Sequence, residues 1–564
     1  MTEAGEATTR RAEPPESVLD RLLAGSPQDR LLSLLSWAIV AVGALAQIYY
    51  FLGARSLRQD EAFIALNVRF LSVRELLGPL DYYQVAPAGW LLSEKLLDGL
   101  TGRYEYDLRI LSLLAGLAAL AAFRHLAART TRGVGFLCAV SLLAFSPVFV
   151  WFTADAKPYA LDIMFACLIP AIGLHLLTAA RPGLWAWIAF LVAGVAACLF
   201  SIPAVYVLFG AGSIVFLKKA VEKDWRGAAA TAAICAIWLA VFAVVFMRLA
   251  APQAEASGGA EGFYETYFAP LPRSLGTLAW YVTMPKAILY YFFGGLQFAV
   301  AGLIVVGLIH GIRRERWLLL MLLVPALAAV VGSGLKLYPL YERLTLFMLP
   351  ATILLVGIGF SAIMVRTRSL AGAAVLFIAA VGPSAWALAG DLAKSPPFAM
   401  QEIRPVLKTL SRKVRPGDVI YVTSTSAPAF MVYQADMGLG RVPWVRGDAL
   451  GRWNCVIADV PTVGPDRHLW ILITEYDEKP WSAQGNSDEW RARGLSADMT
   501  LEAESAKVWL YRVTMKPAPV QSAQAPDPSL PKCGEQEEAA RRTTARAQAA
   551  ALAAAPADAP STRR

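Results

Sequence analysis

The sequence predicts a polytopic α-helical membrane protein of about eleven transmembrane helices, followed by a small α/β domain. Of its 564 residues, 57% are hydrophobic and only 17% are charged, and the mean hydropathy is positive. That balance is typical of membrane proteins and excludes a single soluble domain. Apolar stretches long enough to cross a bilayer recur through the first 390 residues, and short apolar runs that predict strands follow them.

The predicted spans follow one another closely, apart from one long loop, 54–108, after the first. They lie near 33–53, 109–129, 134–152, 158–180, 184–200, 202–217, 227–250, 287–309, 317–335, 344–364 and 369–390. The first span is expected to be a retained anchor, because the residues before it are polar and no small-residue cleavage site follows it.

Composition divides the chain into four parts. They are an amino-terminal tail (1–30), a membrane domain (31–390), an α/β domain (391–515) and an Ala- and Pro-rich tail (516–564). The α/β domain is expected to have helices near 400–414 and 427–435 between strands near 418–422, 468–473 and 507–511. The tail is expected to be disordered, because it has few residues that could form a core.

Basic residues between the spans predict the orientation. If the spans alternate, the clusters at 124–132, 218–226, 313–316 and 366–368 fall on one side. Short cytoplasmic loops are enriched in Lys and Arg, so this side and the amino-terminal tail are expected to be cytoplasmic. Loop 54–108 falls outside although it carries several Arg and Lys residues, and we interpret these as residues that could serve an anionic ligand.

Polar residues converge on the predicted outer side. Asp60 and Glu61 come just beyond the first span, where a carboxylate beside hydrocarbon is costly and usually functional. The other outer connections add further charged and aromatic residues, namely Arg58, Asp155, Lys157, Tyr159, Tyr338, Tyr341 and Arg343. Such a convergence is what an active site between helices would require.

Each of these residues also has a structural interpretation. The two acids could favour a helix amino terminus through its dipole. Lys157 before Pro158 could be a snorkelling cation followed by the first residue of a helix, and Arg343 could be an interfacial anchor. Their joint placement on one side favours a functional site.

Cysteine and histidine residues show no metal-binding spacing. Four cysteines lie inside predicted spans, where they most often fill space as small apolar residues: Cys138, Cys167, Cys198 and Cys235. The other two, Cys455 and Cys533, would lie outside and could pair.

The order of the polar motifs resembles that of a known family. The motifs are Asp60-Glu61-Ala62, a Pro-containing tract, Arg109-Ile110-Leu111-Ser112, Ala156-Lys157-Pro158-Tyr159-Ala160-Leu161 and Tyr338-Pro339-Leu340-Tyr341-Glu342-Arg343-Leu344. They resemble polyprenyl-phosphate-sugar-dependent glycosyltransferases of the GT-C membrane fold over residues 30–390. The branch most similar holds protein O-mannosyltransferases and the bacterial enzymes that add aminoarabinose to lipid A. Two departures are Val85-Ala86-Pro87 where the family commonly has His-Pro-Pro, and Lys157 where it has Arg.

The resemblance implies transfer of a sugar, with inversion, from a polyprenyl phosphate to an extracytoplasmic acceptor at a bacterial inner membrane. The expected partners are this lipid-linked sugar, a lipid, polysaccharide or protein acceptor, and the bilayer, with no nucleic acid. Such a reaction needs a general base, for which Asp60 is the candidate. It also needs positive charge on the departing phosphate, from Arg343, Lys157 or Arg58.

The remaining candidates have supporting roles. Glu61 or Asp155 would orient these cations or hold a divalent metal ion, which is the one cofactor considered. Tyr159, Tyr338 and Tyr341 would contact the sugar.

Two other classes of function stay open from the sequence. One is a transporter or flippase of a lipid-linked or anionic substrate, although transporters usually show repeats and helices broken near the bilayer midplane, whereas these polar residues lie at helix ends. The other is a structural membrane subunit whose outer domain binds a partner.

Overall fold

The computed structural model describes residues 25–256, 264–447, 467–474 and 495–517 of the chain. This part is mostly helical, and the helices are numbered in chain order. Those of the first half are α1 (Arg30–Leu52), α2 (Gln59–Phe70), α3 (Val73–Leu76), α4 (Ala88–Leu97), α5 (Tyr104–Asp107), α6 (Ile110–Thr130), α7 (Gly133–Ala144), α8 (Pro147–Thr153), α9 (Tyr159–Thr178), α10 (Leu184–Phe200), α11 (Ala204–Val221), α12 (Trp225–Val245) and α13 (Ala251–Ala256). Those of the second half are α14 (Leu275–Phe293), α15 (Gln297–Arg314), α16 (Arg316–Gly334), α17 (Leu349–Thr367), α18 (Leu370–Leu392), α19 (Ile403–Lys413) and α20 (Ala427–Tyr433).

The apolar helices make this chain an integral membrane protein. Within the described ranges, nine helical segments are long and apolar enough to cross a membrane, or ten if α7 and α8 form one bent span. Helix α10 is apolar but has only 17 residues. Every predicted span thus lies on helical residues, although 134–152 covers both α7 and α8 and 287–309 covers parts of α14 and α15. The predicted number of eleven spans is not confirmed.

The bend between α7 and α8 has a local cause. The two helices meet at an angle of 48°, where Ser146 accepts a hydrogen bond from the backbone N–H of Phe149 and Pro147 occupies the first turn. A capping serine followed by proline begins a new helix rather than continuing the old one.

The predicted span 287–309 is wrong in its boundaries. It covers the end of α14 and the beginning of α15, which are joined by a short 3₁₀ turn at Gly294–Leu296 within a helical segment of 40 residues. Gly294 has a φ of 60°, which glycine adopts at little cost. The apolar composition runs on through this turn, so hydropathy alone could not locate it.

The connections between spans gather at two ends of the helix bundle. One end, which we call the site end, holds the connections after α1, between α8 and α9, and between α16 and α17. Ion pairs join the three, Arg58 with Asp155 and Asp60 with Arg343. At the opposite end of the bundle, which we call the basic end, the segment before α1 and the ends of α6, α9, α11, α15 and α16 border a large cavity. Which end faces the cytoplasm stays a prediction.

The carboxyl-terminal part contains a five-stranded sheet of order β2-β1-β3-β5-β4. Its strands are β1 (Val419–Val422), β2 (Trp444–Arg446), β3 (Leu469–Thr474), β4 (Leu495–Ser505) and β5 (Val508–Pro517). Strand β1 is parallel to β2 and β3, whereas β5 is antiparallel to β3 and β4. All residues of β3 are buried, as expected for a central strand covered on both faces.

The predicted elements of this part correspond to β1, β3, β5, α19 and α20, while β2 and β4 were not predicted. Cys455 and Cys533 lie outside the described residues, as does the tail after residue 517, so those predictions stay predictions.

Candidate active site

The site begins at the first turn of α2, where the side chains of Asp60 and Glu61 contact different residues. Arg58 precedes the helix, and its backbone N–H donates to Glu61 Oε2 at 3.0 Å. Successive residues of a helix are rotated by about 100°, so the side chains of Asp60 and Glu61 cannot share one environment. Both acids also lie where the helix dipole favours negative charge, so the structural interpretation of the pair accounts for part of their placement.

Asp60 forms an ion pair with Arg343 from the connection before α17. Arg343 Nη1 lies 2.5 Å from Asp60 Oδ2, and the two side chains are 25% and 22% exposed. Burial acts to raise the pKa of the Asp60 carboxyl, but the Arg343 guanidinium and the Lys157 ammonium outweigh it and hold this pKa at about 2. Asp60 is therefore a carboxylate at neutral pH.

Lys157, in the connection before α9, is the second cation beside Asp60. Its side chain is buried, and Nζ donates a hydrogen bond to Gln84 Oε1 at 2.6 Å. Burial lowers the pKa of Lys157 to about 8, with Asp60 opposing the shift and Arg343 adding to it. We call Asp60, Gln84, Lys157 and Arg343 the front cluster, which has two cations and one carboxylate.

Behind the front cluster lies a buried network of three arginines and two acids. The Glu61 carboxylate forms ion pairs with Arg55 Nη1 at 2.6 Å and with Arg109 Nε at 2.8 Å. The Asp155 carboxylate forms ion pairs with Arg58 Nη2 at 2.8 Å and with Arg55 Nη2 at 3.3 Å. Both carboxylates are completely buried. We call these five side chains the back network.

Backbone groups complete the back network. The Ala156 N–H donates to Glu61 Oε1 at 3.0 Å, and Arg109 Nη1 donates to the Arg55 carbonyl at 2.8 Å. Burial alone would raise the pKa of Glu61, but the Arg109, Arg55 and Arg58 guanidiniums hold that pKa well below its usual range. Glu61 therefore serves as a permanent anion that joins α2, α6 and the connection before α9.

The motif Arg109-Ile110-Leu111-Ser112 acts on the same connection. Ser112 Oγ lies 2.8 Å from the Asp155 carbonyl and 3.1 Å from the Lys157 carbonyl, while Arg109 binds Glu61. The first turn of α6 thus fixes the backbone that carries both Asp155 and Lys157.

The three predicted tyrosines make different contacts at or near the segment that carries Arg343. The Arg343 guanidinium lies 5.9 Å from the centre of the Tyr159 ring, within the range of a cation–π contact. The Tyr338 hydroxyl donates to the Leu344 carbonyl at 2.9 Å and so supports the segment that carries Arg343. Tyr341 packs against two other rings, Tyr264 and Tyr267.

The carboxyl-terminal part is bonded directly to the segment before α2. Glu402 accepts hydrogen bonds from the Ser56 N–H at 3.1 Å and from Ser56 Oγ at 2.9 Å. Gln401 Oε1 accepts from the Gln59 N–H at 3.0 Å. The Leu57 N–H donates a hydrogen bond to the hydroxyl oxygen of Tyr433 in α20 at 2.9 Å. The α/β part therefore holds the backbone from which Asp60 projects.

Within the described part of the chain, the acidic side chains do not form a cluster that could hold a metal ion. Among the described residues no group of three or more His, Cys, Asp or Glu side chains is placed to hold a metal ion. The oxygens of Glu61 and Asp155 are occupied by guanidinium and backbone N–H donors. This donor set does not fit a divalent cation, so the prediction that Glu61 or Asp155 could hold a metal finds no support in the geometry.

The structure brings Asp60, Lys157 and Arg343 together and places Arg58, Glu61 and Asp155 behind them. The sequence interpretation gave no role in the site to Arg55, Gln84, Glu402 or Tyr433, and it named Arg109 only as part of a motif. For these two arginines a signal existed, since Arg55 is one of the basic residues that make loop 54–108 depart from the usual charge bias and Arg109 follows that loop directly. They are only 1% exposed and paired with acids, so the expectation that they could serve an anionic ligand is wrong for these two.

Comparisons with known proteins give similarity at the level of whole structures only. No protein-family model and no curated protein matches the chain. One similar structure is ArnT from Cupriavidus metallidurans bound to undecaprenyl phosphate, at 14% identity and a TM-score of 0.48, covering 85% of this chain and 98% of that one. Another is the archaeal oligosaccharyltransferase AglB from Archaeoglobus fulgidus with an inhibitory peptide and a dolichol-phosphate, at 10% identity and a TM-score of 0.47, covering 78% of this chain and 70% of that one. Because both TM-scores lie below 0.5, the function proposed below rests on the site and on the sequence motifs.

Proposed function

We propose that this protein is a membrane glycosyltransferase that moves a sugar from a polyprenyl phosphate to an extracytoplasmic acceptor. The observation that carries the proposal is the front cluster, in which the Asp60 carboxylate pairs with Arg343 and is also stabilised electrostatically by the buried Lys157 ammonium, at the ends of membrane helices. A lipid phosphate and a sugar hydroxyl would both reach this position from the bilayer surface. The proposed location is a bacterial inner membrane, with the site end facing the periplasm.

In the proposed reaction the Asp60 carboxylate accepts a proton, and the two cations stabilise the departing phosphate. The acceptor hydroxyl oxygen attacks the anomeric carbon, its proton passes to the Asp60 carboxylate, and the bond between that carbon and the phosphate oxygen breaks. The electron pair of the broken bond stays on the lipid phosphate, whose added negative charge is stabilised by Arg343 and Lys157. Attack from the side opposite the phosphate would invert the anomeric carbon.

Unpaired donors support phosphate binding at this position. Among the described residues, the Nε–H groups of Arg58 and Arg343 are buried without a hydrogen-bond partner. Buried N–H groups nearly always have an acceptor, and a phosphate oxygen is a strong acceptor for guanidinium. A bound donor would supply the acceptor that Arg343 lacks.

Donor binding would also make Asp60 a better base. A carboxyl with a pKa of about 2 is a weak proton acceptor, because catalytic bases work best when their pKa lies near the working pH. A phosphate that draws Arg343 away from Asp60 removes the largest interaction that lowers this pKa. Asp60 would therefore gain basicity only when the donor is in place.

The remaining predicted residues have positioning or contact roles in this proposal. Glu61 and Asp155 hold the arginines behind the site rather than touching substrate, and Arg58 holds Asp155. Tyr159 and Tyr341 border Arg343 and would contact the sugar, whereas Tyr338 supports the backbone through its hydrogen bond.

An apolar cavity offers space for part of the lipid chain. It has a volume of about 110 Å³ and lies between membrane helices α9, α11, α14, α16 and α17. Its lining is almost entirely apolar and includes Pro170, Met321 and Phe347. Phe347 is four residues from Arg343, so a chain in this cavity would begin close to the front cluster.

The proposal is tested with membranes that contain the protein, a radiolabelled pool of polyprenyl-phosphate sugars and candidate acceptors. The Asp60→Asn variant should lose transfer, because the amide accepts no proton. Asp391→Asn is the matched control, and it should retain transfer. Asp391 is a carboxylate in the last turn of α18, and its side chain pairs only with Lys394 in the described structure.

Two outcomes would overturn the proposal. If Asp60→Asn transfers sugar as fast as the control, Asp60 is not the base. If the parent protein consumes no lipid-linked sugar with any acceptor, the protein is not a glycosyltransferase of this class.

A further inference from the structure

The basic end of the bundle carries a second polar cavity that the proposed reaction does not use. Its volume is about 880 Å³. It is bordered by the segment before α1, by the last turns of α6, α9, α11 and α15, and by the first turn of α16. Helices α6, α9 and α16 have their other ends at the site end, so this cavity and the front cluster lie at opposite ends of the bundle. We call it the basic cup.

The charges of the basic cup are almost all positive. Glu315 is the one carboxylate in its described lining, and the cations are Arg129, Arg132, Lys218, Arg313, Arg314 and Arg316. They come from three separate connections, so the sequence does not place them together as one run. Such a concentration of like charge in a concavity raises the local potential and attracts anions.

The arginines of the cup are available for a ligand. Lys218 is engaged, since it donates to the Leu177 carbonyl and lies 3.4 Å from Glu222. By contrast, none of the five arginines has a carboxylate within 4 Å in the part of the chain that the structure describes. At the site end, the arginines of the back network are all paired internally.

The usual bias of membrane loops does not account for this arrangement. Cytoplasmic connections are enriched in Lys and Arg, which explains why the basic end is positive. Arg226 and Arg366 satisfy that bias at the same end without lining the cup. The enrichment of Lys and Arg in cytoplasmic connections explains how many cations lie at this end. It does not explain why five arginines without a carboxylate partner line one cavity.

We propose that the basic cup binds a phosphate-bearing anion. Guanidinium groups form paired hydrogen bonds with phosphate oxygens, and a bound anion would relieve the mutual repulsion of the arginines. The lining of the cup also includes apolar side chains, among them Leu174, Leu177 and Leu318. This combination suits the headgroup of an anionic phospholipid, and it also admits a soluble diphosphate, which has the same chemistry. The inference is independent of the glycosyl transfer proposed above.

The test compares two variants that remove the same charge from the same end. The cup variant is Arg129→Gln with Arg314→Gln, two lining residues from different helices, α6 and α15. The control variant is Arg226→Gln with Arg366→Gln, both exposed helical residues outside the cup. Thermal unfolding of both, without added anion, confirms that each full-length protein is folded before binding is measured.

Binding is measured by native mass spectrometry of the full chain in neutral detergent. One arm titrates phosphatidylglycerol against phosphatidylcholine, and the other titrates inorganic pyrophosphate. The parent and the control variant should bind one anion saturably. The cup variant should bind it at least about tenfold more weakly, which is the loss expected for one charge-assisted hydrogen bond.

The two arms separate the possible sources of the phosphate. Saturable phosphatidylglycerol binding that only the cup variant loses assigns the cup to a lipid headgroup. Saturable pyrophosphate binding with the same dependence, and none by lipid, assigns it to a soluble phosphate. Equal binding by cup and control variants, or no saturable binding in either arm, would overturn the proposal and leave only the general charge bias.

Discussion

Asp60 and Glu61 are neighbours in sequence but belong to regions with opposite properties. Asp60 is partly exposed and has one guanidinium at hydrogen-bonding distance. Glu61 is fully buried, and its oxygens receive two guanidiniums and two backbone N–H groups. The difference teaches that, of these two regions, the back network uses its carboxylates in internal ion pairs, whereas the front cluster can bind a ligand.

The two regions should also differ in what they contribute to stability. Removing one partner of a buried ion pair leaves an uncompensated charge and costs about 3–5 kcal/mol. Partly exposed pairs contribute about 1 kcal/mol or less. Changes in the back network should therefore act on folding, and changes in the front cluster should act on the reaction.

The largest effect is expected for Glu61→Gln. The change leaves Arg109 without a counter-charge and leaves Arg55 with only Asp155, at 3.3 Å, so the free energy of unfolding should fall by about 3–5 kcal/mol. Thermal and denaturant unfolding in detergent would measure it. Glu222→Gln, which removes an exposed carboxylate paired with Lys218, is the control and should change stability by less than about 1 kcal/mol. Equal effects of the two changes would contradict the distinction between the regions.

The next effect is expected for Arg343→Gln, and it should appear in the rate rather than in stability. Loss of a charge that stabilises the developing anion lowers turnover by about 10²–10³-fold, while loss of the partly exposed pair with Asp60 costs about 1 kcal/mol or less. Sugar transfer at saturating donor and unfolding of the same preparation would be measured together. Arg343→Lys keeps the charge without the planar fork and should recover part of the rate. A large loss of stability with an unchanged rate would place Arg343 among the structural residues.

A smaller effect is expected for Glu402→Gln, which tests whether the α/β part positions the site. The variant keeps the shape of the side chain but weakens the acceptor for Ser56. A charge-assisted hydrogen bond contributes about 1.5–3 kcal/mol, so transfer should slow by about tenfold with little change in donor KM. Glu502→Gln, which alters an ion pair in the same part but away from Ser56, should leave transfer unchanged. If both variants behave alike, the α/β part has no positioning role.

Residues such as Glu402 show where prediction from the sequence ends. Helix periodicity and charge spacing place Asp60 and Glu61 at the start of a helix, and hydropathy places most spans within a few residues. The partners of these acids depend on tertiary packing: Arg109 is 48 residues from Glu61, Arg343 is 283 residues from Asp60, and Glu402 is 346 residues from Ser56. No local pattern decides which of several arginines faces which of two adjacent acids. The order of the family motifs identified Lys157 and Arg343 as candidate site residues. No sequence motif pointed to Glu402.

The smallest effect concerns pH and sharpens the role of Lys157 in the front cluster. Burial lowers the pKa of Lys157 from 10.5 to about 8, so a rise in pH through this value removes the charge that would stabilise the departing phosphate. Transfer should therefore fall on the alkaline side with a midpoint near the pKa of about 8, while Asp60, with its pKa of about 2, stays ionised. Stability should change in the opposite direction. Above this pKa the unfolded chain holds a proton on Lys157 that the folded chain has lost, so the free energy of unfolding increases as pH rises.

The control is Lys157→Arg, which keeps its charge at all these pH values. It should remove the alkaline fall in transfer without changing the pH profile elsewhere. A parent profile that stays flat through pH 8, or an identical fall in Lys157→Arg, would show that the charge on Lys157 takes no part in the reaction.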